Sequence, residues 1–487
     1  SFIKSLGLCL STQRLMINFL FNKSQEINLY GDAGQAYSVE AYLGHPHQKL
    51  KLLVDTGSTT LAIASYAREN SNEYFHPDNS SSIYDSGKSV QAEYSQGMWS
   101  GRLVSDFIKF PSLRSIPEVR SDIALITQSH KFFMNGSGWQ GLLGLAYLPV
   151  GAWGNGVVVE SWLDSVDRTL HKPISFNLKL CGPISKTNTT HYGHFKMFDD
   201  HTPQVNNTKI FRTPILRKRW YEVGVLSISV MSSLSKANET VDTAKEPNTD
   251  MCLKLNAEKS IVDSGTTNIR LPDNLFRQVV DELKNIYRSS QVLILDEFWY
   301  QGEAACWPEP QVWTLPWLAI DLLSSDADNQ YFTLEIPPQN YMRVVGVYNS
   351  SDKTGTVSEY CYKLGIEAGG TETVLGYTAM EGLEVLFNRS AGWIGWQTSD
   401  CGANARITGP YNTSYSFKTT CQLIKPVSDV AVSIKAAQWA LCAISLIAAA
   451  VLIYLLAPCI KTFFVRRLPS SQQISLSQAA LVEQENS

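Results

Sequence analysis

Leu53-Val54-Asp55-Thr56-Gly57-Ser58-Thr59 recurs as Ile261-Val262-Asp263-Ser264-Gly265-Thr266-Thr267. In each copy an apolar, strand-like run enters Asp-(Thr/Ser)-Gly-(Ser/Thr)-Thr. A second element repeats behind it: Leu142-Leu143-Gly144 after the first copy, Val374-Leu375-Gly376 after the second. Self-similarity at long spacing marks a duplicated architecture, so the order of these elements implies two homologous halves. A single Asp-Thr-Gly is an ordinary strand-end turn in which Gly supplies an unusual φ. Two copies, each followed by an apolar-Gly element, go beyond that reading.

The residue types suit one chemistry. Hydrolysing a peptide with water needs a base for the water and an acid for the carbonyl and the leaving nitrogen. Two carboxylates sharing one proton supply both, because at close range they cannot both ionise cheaply and their pKa values split. The Gly after each Asp lets the two loops approach. The hydroxyls of Ser58 and Thr266 are placed to hydrogen-bond the outer carboxylate oxygens.

The surrounding chain reads as mainly β. Tyr37–Leu43, Leu50–Val54, 219–230 and Tyr331–Ile336 are rich in β-branched and aromatic residues, with Gly, Pro, Asn and Asp between them. Helices are expected over Val159–Thr169 and Asp273–Tyr287; the second carries Leu275, Phe276, Val279, Val280 and Leu283 at helical spacing. Lys+Arg 41 against Asp+Glu 45 leaves a net charge of −4, which offers no electrostatic footprint for nucleic acid. With 44% hydrophobic and 18% charged residues, the chain is too apolar for disorder.

From Ala436 to Ile460 there is no charged residue, long enough for a helix to cross a bilayer. Trp439 and Tyr454 fit interfacial anchors. Lys461, Arg466 and Arg467 follow, which the positive-inside rule puts in the cytoplasm. An outside ectodomain permits disulfides and N-glycans. Sequons stand at Asn22, Asn79, Asn135, Asn188, Asn206, Asn238, Asn349, Asn388 and Asn412, and six ectodomain cysteines, 181, 252, 306, 361, 401 and 421, allow 15 pairings. No CxxC or His/Cys cluster points to zinc, so no metal or cofactor is expected. Residues 1–21 lack the form of a clean signal peptide.

Several stretches resemble the pepsin-like aspartic proteases, and within them the membrane-anchored beta-secretases (memapsins). They are Lys131–Tyr147 (KFFMNGSGWQGLLGLAY), Lys259–Pro272 (KSIVDSGTTNIRLP), Tyr94–Gly101 (YSQGMWSG) and Thr373–Trp396. Trp220-Tyr221-Glu222-Val223 and Cys361-Tyr362-Lys363 also match. The resemblance covers roughly Gly34 to Cys421. It implies a bilobal β fold with Asp55 and Asp263 as the catalytic dyad, and Tyr94 as a flap tyrosine supported by Trp99. Ser95, Gln96 and Gly97 would give flap-tip contacts, with Gly57, Gly265, Thr266 and Thr267 beside the dyad. Leu53, Phe132, Met134 and Trp139 would line a hydrophobic pocket, Arg270 would reach a polar one, and Tyr221 the far side. The implied disulfides are Cys181–Cys401, Cys252–Cys421 and Cys306–Cys361.

The expected organisation is an N-terminal segment 1–33, read as a truncated or non-native signal or pro region; an N-terminal lobe 34–175 with Asp55 and the flap; and a C-terminal lobe 176–421 with Asp263 and the disulfides. A tether 422–435, a membrane helix 436–460 and a cytoplasmic tail 461–487 follow. The chain is expected to be a single-pass type I membrane endopeptidase of the secretory pathway, Golgi, endosome or cell surface. It would bind peptide segments of membrane proteins and shed their ectodomains. The alternative is a catalytically silent pepsin-fold receptor; a soluble digestive protease conflicts with the apolar span.

Overall fold

In the computed structural model, the described residues are 25–31, 37–68, 71–94, 97–114, 116–133, 137–147, 159–183, 191–199, 209–231, 247–287, 294–307, 315–352, 355–423 and 429–465. The chain divides into a unit ending at Ile424 and a second from Lys425.

The first unit is built on the duplicated motif. Strand Gln48–Asp55 delivers Asp55 and lies parallel to Gly141–Gly144, with Asp55 opposite Gly144; Leu61–Ala64 pairs antiparallel with the far side of Gly141–Gly144 and parallel with Val119–His130. The second copy follows the same plan. Ser260–Val262 lies parallel to Thr373–Leu375, which pairs antiparallel with Ile269–Leu271, itself parallel to Ile366–Ala368. The repeated apolar-Gly elements are therefore strands inserted between the two arms of each Asp loop. Their residues are buried on both faces, as their unbroken apolar runs require.

The first arrangement belongs to a 13-stranded sheet that also contains strands of the second half; the second forms a four-stranded sheet of its own. In the large sheet, Gln25–Gly31, ahead of the region of resemblance, pairs with His191–Asp199 along its whole length and meets Ser38–Leu43 at Tyr30. One hydrophobic cluster runs through both halves, including Leu53, Val54, Leu143, Val262, Leu375 and Tyr377. A smaller one, with Leu226, Leu323, Tyr331 and Phe417, packs around Cys252 and Cys421.

Helix Asp273–Tyr287 occupies the bounds that its apolar spacing predicts and buries Leu275, Phe276, Val279, Val280 and Leu283. The other predicted helix is Trp162–Leu170, starting where Ser161 caps it by accepting a hydrogen bond from Asp164 N at 3.0 Å. The strand expected over 219–230 begins only at Val225. Ahead of it the chain makes a tight Lys218–Tyr221 bridge, which turns Tyr221 inward.

Disulfides join Cys181–Cys401, Cys252–Cys421 and Cys306–Cys361, so the pairing implied by the resemblance is present. The second unit contains the helix Asp429–Val465. Its stretch Trp439–Ala457 is long and apolar enough to cross a membrane; 19 residues at about 1.5 Å each match a hydrocarbon core of about 30 Å. Of the sequons, Asn79 and Asn412 are exposed, whereas Asn388 is buried and its Oδ1 accepts from Ala391 N at 2.8 Å. Asn22, Asn135, Asn188, Asn206 and Asn238 lie outside the described residues, and the Asn349 side chain is not described.

Candidate active site

The two Asp loops face each other and lock through the residue after each Asp. Thr56 Oγ1 donates to Val262 O and accepts from Ser264 N, both at 2.9 Å. Reciprocally, Ser264 Oγ donates to Val54 O at 2.8 Å and accepts from Thr56 N at 3.2 Å. Four buried hydrogen bonds thus fix one loop against the other. The signal in the sequence is a hydroxyl at the same place in both repeats, Thr56 and Ser264, although no local pattern marks it as a cross-link.

Each carboxylate is held twice by its own loop. Asp55 Oδ1 accepts from Gly57 N at 2.8 Å, and Oδ2 from Ser58 Oγ. Asp263 Oδ1 accepts from Gly265 N at 2.8 Å, and Oδ2 from Thr266 Oγ1 at 2.7 Å. Ser58 and Thr266 therefore play the orienting part that the sequence suggests. The glycines are needed for the approach: a Cβ on Gly57 would stand 2.5 Å from Asp263 Oδ2, and one on Gly265 would collide with Asp55 Oδ1.

Asp55 and Asp263 are nearly buried, 6% and 9% exposed. Burial, and then the negative charge of Asp263, raise the Asp55 pKa well above the ordinary carboxylate range; the hydrogen bonds from Ser58 and Gly57 oppose the rise only in part. A single proton shared within the pair relieves the repulsion. This is the arrangement that can act as base toward a water and as acid toward a carbonyl.

Over the pair lies the hairpin formed by Tyr84–Tyr94 and Gly97–Lys109, with Tyr94 opposite Gly97. Ser95, Gln96 and Met134 lie outside the described residues. Burial, then the charge of Asp55, push the Tyr94 phenol well above its usual pKa. Its ring stands 5.5 Å from that of Phe132, which meets Trp139 edge-on at 5.7 Å. The expected pocket residues Phe132 and Trp139 thus form an aromatic wall contiguous with Tyr94, while Leu53 is buried in the core. Tyr94 Oη, Trp99 Nε1 and Trp139 Nε1 are buried with no hydrogen-bond partner among the described residues.

Two expected contact residues have other occupations. Arg270 ion-pairs with Glu367 through Nε at 3.2 Å, and Glu367 also accepts from Asn268 Nδ2 at 2.8 Å. Tyr221 offers a substrate no surface, being 0% exposed. Its hydroxyl donates to Leu145 O at 2.6 Å, and its carbonyl accepts from Val262 N at 3.0 Å. Leu145 N in turn donates to Asp55 O at 2.8 Å. Tyr221 is therefore a brace running from the strand before Asp263 to the segment that holds Asp55. Thr266 and Thr267 are braced from behind, their carbonyls accepting from Tyr377 N at 2.9 Å and Thr378 N at 3.1 Å.

Comparison with known proteins agrees with this geometry. Residues 36–399 match the eukaryotic aspartyl protease family. A beta-secretase of Strongylocentrotus purpuratus is 30% identical over 430 residues, covering 84% of this chain and 74% of its own. Shorter matches are to the chymosin of Bos taurus, 28% identical over 161 residues (30% of this chain, 42% of its own), and to pregnancy-associated glycoprotein 2 of Sus scrofa, 29% identical over 123 residues (24% and 29%). With the family match extending over most of the chain, this protein belongs to the eukaryotic aspartyl proteases and is an aspartic-type endopeptidase.

Proposed function

We propose that Asp55 and Asp263 are the catalytic dyad of a membrane-anchored endopeptidase that sheds the ectodomains of other membrane proteins. The observation that carries the chemistry is the reciprocally locked pair of carboxylates, buried and each held by its own loop. Within the pair one carboxylate takes a proton from water as the oxygen attacks the scissile carbonyl. The other, protonated, gives its proton to the carbonyl oxygen. On collapse of the tetrahedral intermediate that proton returns to the second carboxylate, while the first passes the proton it took from water to the departing nitrogen. Tyr94, Phe132 and Trp139 would receive the side chain before the cut, with Ser95, Gln96 and Gly97 closing on an extended peptide by backbone contacts. Arg270 and Glu367 together would present a polar surface to a neighbouring side chain.

Anchoring supports the choice of substrate. The apolar helix Trp439–Ala457 and the basic residues after it favour a luminal dyad and a cytoplasmic tail in the secretory pathway. Membrane attachment raises the effective concentration of other membrane-tethered chains. The test is truncation before Ala436. The released form should cleave short peptides at the full-length rate yet lose about tenfold or more of its shedding of a membrane-bound reporter in co-expressing cells. Equal shedding by both forms would overturn the membrane-substrate reading while leaving the endopeptidase intact.

A further inference from the structure

At the other end of the strand that delivers Asp55, the turn Gly44-His45-Pro46-His47 brings two imidazoles onto one carboxylate. Glu118 Oε1 lies 3.1 Å from His45 Nε2 and 3.5 Å from His47 Nε2, and the three ligand-type atoms all fall within 4.8 Å of one another. We propose that His45, His47 and Glu118 form a binding site for a divalent transition ion of the zinc class, remote from the dyad, with water completing the coordination.

The orientation of His47 carries the argument. Its Nδ1 lies 2.8 Å from Gly44 O. A carbonyl oxygen only accepts, so Nδ1 carries the hydrogen and Nε2, on the Glu118 side of the ring, is the atom left to bind an ion. The backbone-bonded Nδ1–H is also the outer-shell contact that orients metal-bound histidines and raises their basicity.

The remaining geometry suits a small ion. Bonds of about 2.0–2.1 Å in a tetrahedral site put neighbouring ligand atoms about 3.3 Å apart, and the two His–Glu separations straddle that value. His45 is held in place: its ring stacks on Phe107 at 5.1 Å, its N donates to Ser80 Oγ at 3.1 Å and its O accepts from Ser81 N at 2.7 Å. The three side chains are 42%, 37% and 28% exposed, open enough for an ion to enter and keep water. Two imidazoles and one carboxylate select zinc-like ions over calcium or magnesium, which prefer all-oxygen sites.

The site would clip the turn at 44–47 to the connection between strands Gly97–Lys109 and Val119–His130. It lies about 25 Å along the strand from Asp55, so it would act on stability rather than on the reacting bond. An ion that these residues hold only when folded stabilises the folded chain by mass action.

The test titrates the full chain in detergent micelles, free thiols alkylated, with Zn2+ by calorimetry and with Co2+ by its visible absorption. One equivalent should bind with a tetrahedral cobalt spectrum and raise the melting temperature. His45→Ala, His47→Ala and Glu118→Gln should each weaken binding about tenfold or more, with peptide cleavage in metal-free buffer unchanged. Asp55→Asn should bind the ion as the native chain does. Failure to bind either ion, or affinity unaffected by the three substitutions, would overturn the proposal.

Discussion

The two halves carry the same motif on the same strand plan and are secured by different means. No cysteine occurs between residues 10 and 180, and the three disulfides among the described residues all lie in the second half. The first half relies on its place in the 13-stranded sheet and carries the hairpin over the dyad. The second half's Asp strand sits in a small sheet of four short strands, backed by a hydrophobic cluster that a disulfide pins. The strand plan around the two Asp loops is the same in both copies, whereas the support around each copy differs.

The sharpest test of the likeness is the dyad itself. Asp55→Asn and Asp263→Asn should each lower peptide turnover by at least about 10³-fold, since neither carboxylate can serve as both acid and base. The fold should survive, as read by circular dichroism. The pH dependence of stability should change too. Because the Asp55 pKa is raised in the fold, the folded chain retains a proton that the unfolded chain has lost across the window from the ordinary carboxylate range up to the raised value. Stability therefore falls as pH rises through that window. Asp55→Asn should remove this slope, and Asp263→Asn should reduce it by removing the charge that helps to raise the pKa. An unchanged slope in Asp55→Asn would break the electrostatic account.

The contrast in fastening is tested by removing disulfides. Replacing Cys252 and Cys421 by Ser should cost about 2–5 kcal/mol. The Cys306–Cys361 pair spans 55 residues rather than 169, so its removal should cost about 1 kcal/mol less by the loop-entropy relation. Denaturant unfolding reads both. A larger loss at the shorter loop would mean that contacts around it, not chain entropy, set its worth.

The smallest effect concerns the brace between the halves. Tyr221→Phe deletes one buried hydrogen bond, to Leu145 O, and should cost about 1–2 kcal/mol. KM for peptides should stay within about twofold, because the ring touches no substrate. A marked rise in KM with stability unchanged would return Tyr221 to the substrate surface.

The repeated Asp loops, the apolar-Gly strands and the helix Asp273–Tyr287 were legible because each is a local pattern with a strict period or a strict repeat. Tyr221 was legible as a residue but not as a brace. Its partner is a backbone carbonyl 76 positions away, which no side-chain motif announces. The strand expected from Arg219 was shortened for the same reason: β propensity is local, whereas the turn at Lys218–Tyr221 serves a contact across the halves. His45 and His47 stand in plain view two residues apart, but the carboxylate between them comes from a connection whose position only the folded sheet determines.

Strand Gln25–Gly31 has a consequence for the order in which the protein is made. It leaves the ribosome well before its full-length neighbour, His191–Asp199, and it meets Ser38–Leu43 only at Tyr30. Until the later strand emerges, its backbone donors and acceptors face water as an unpaired edge, the kind of surface that recruits other chains. A nascent or truncated product ending before residue 191 is therefore expected to be prone to aggregation, and a ribosome stalled in that interval would expose the same edge to chaperones.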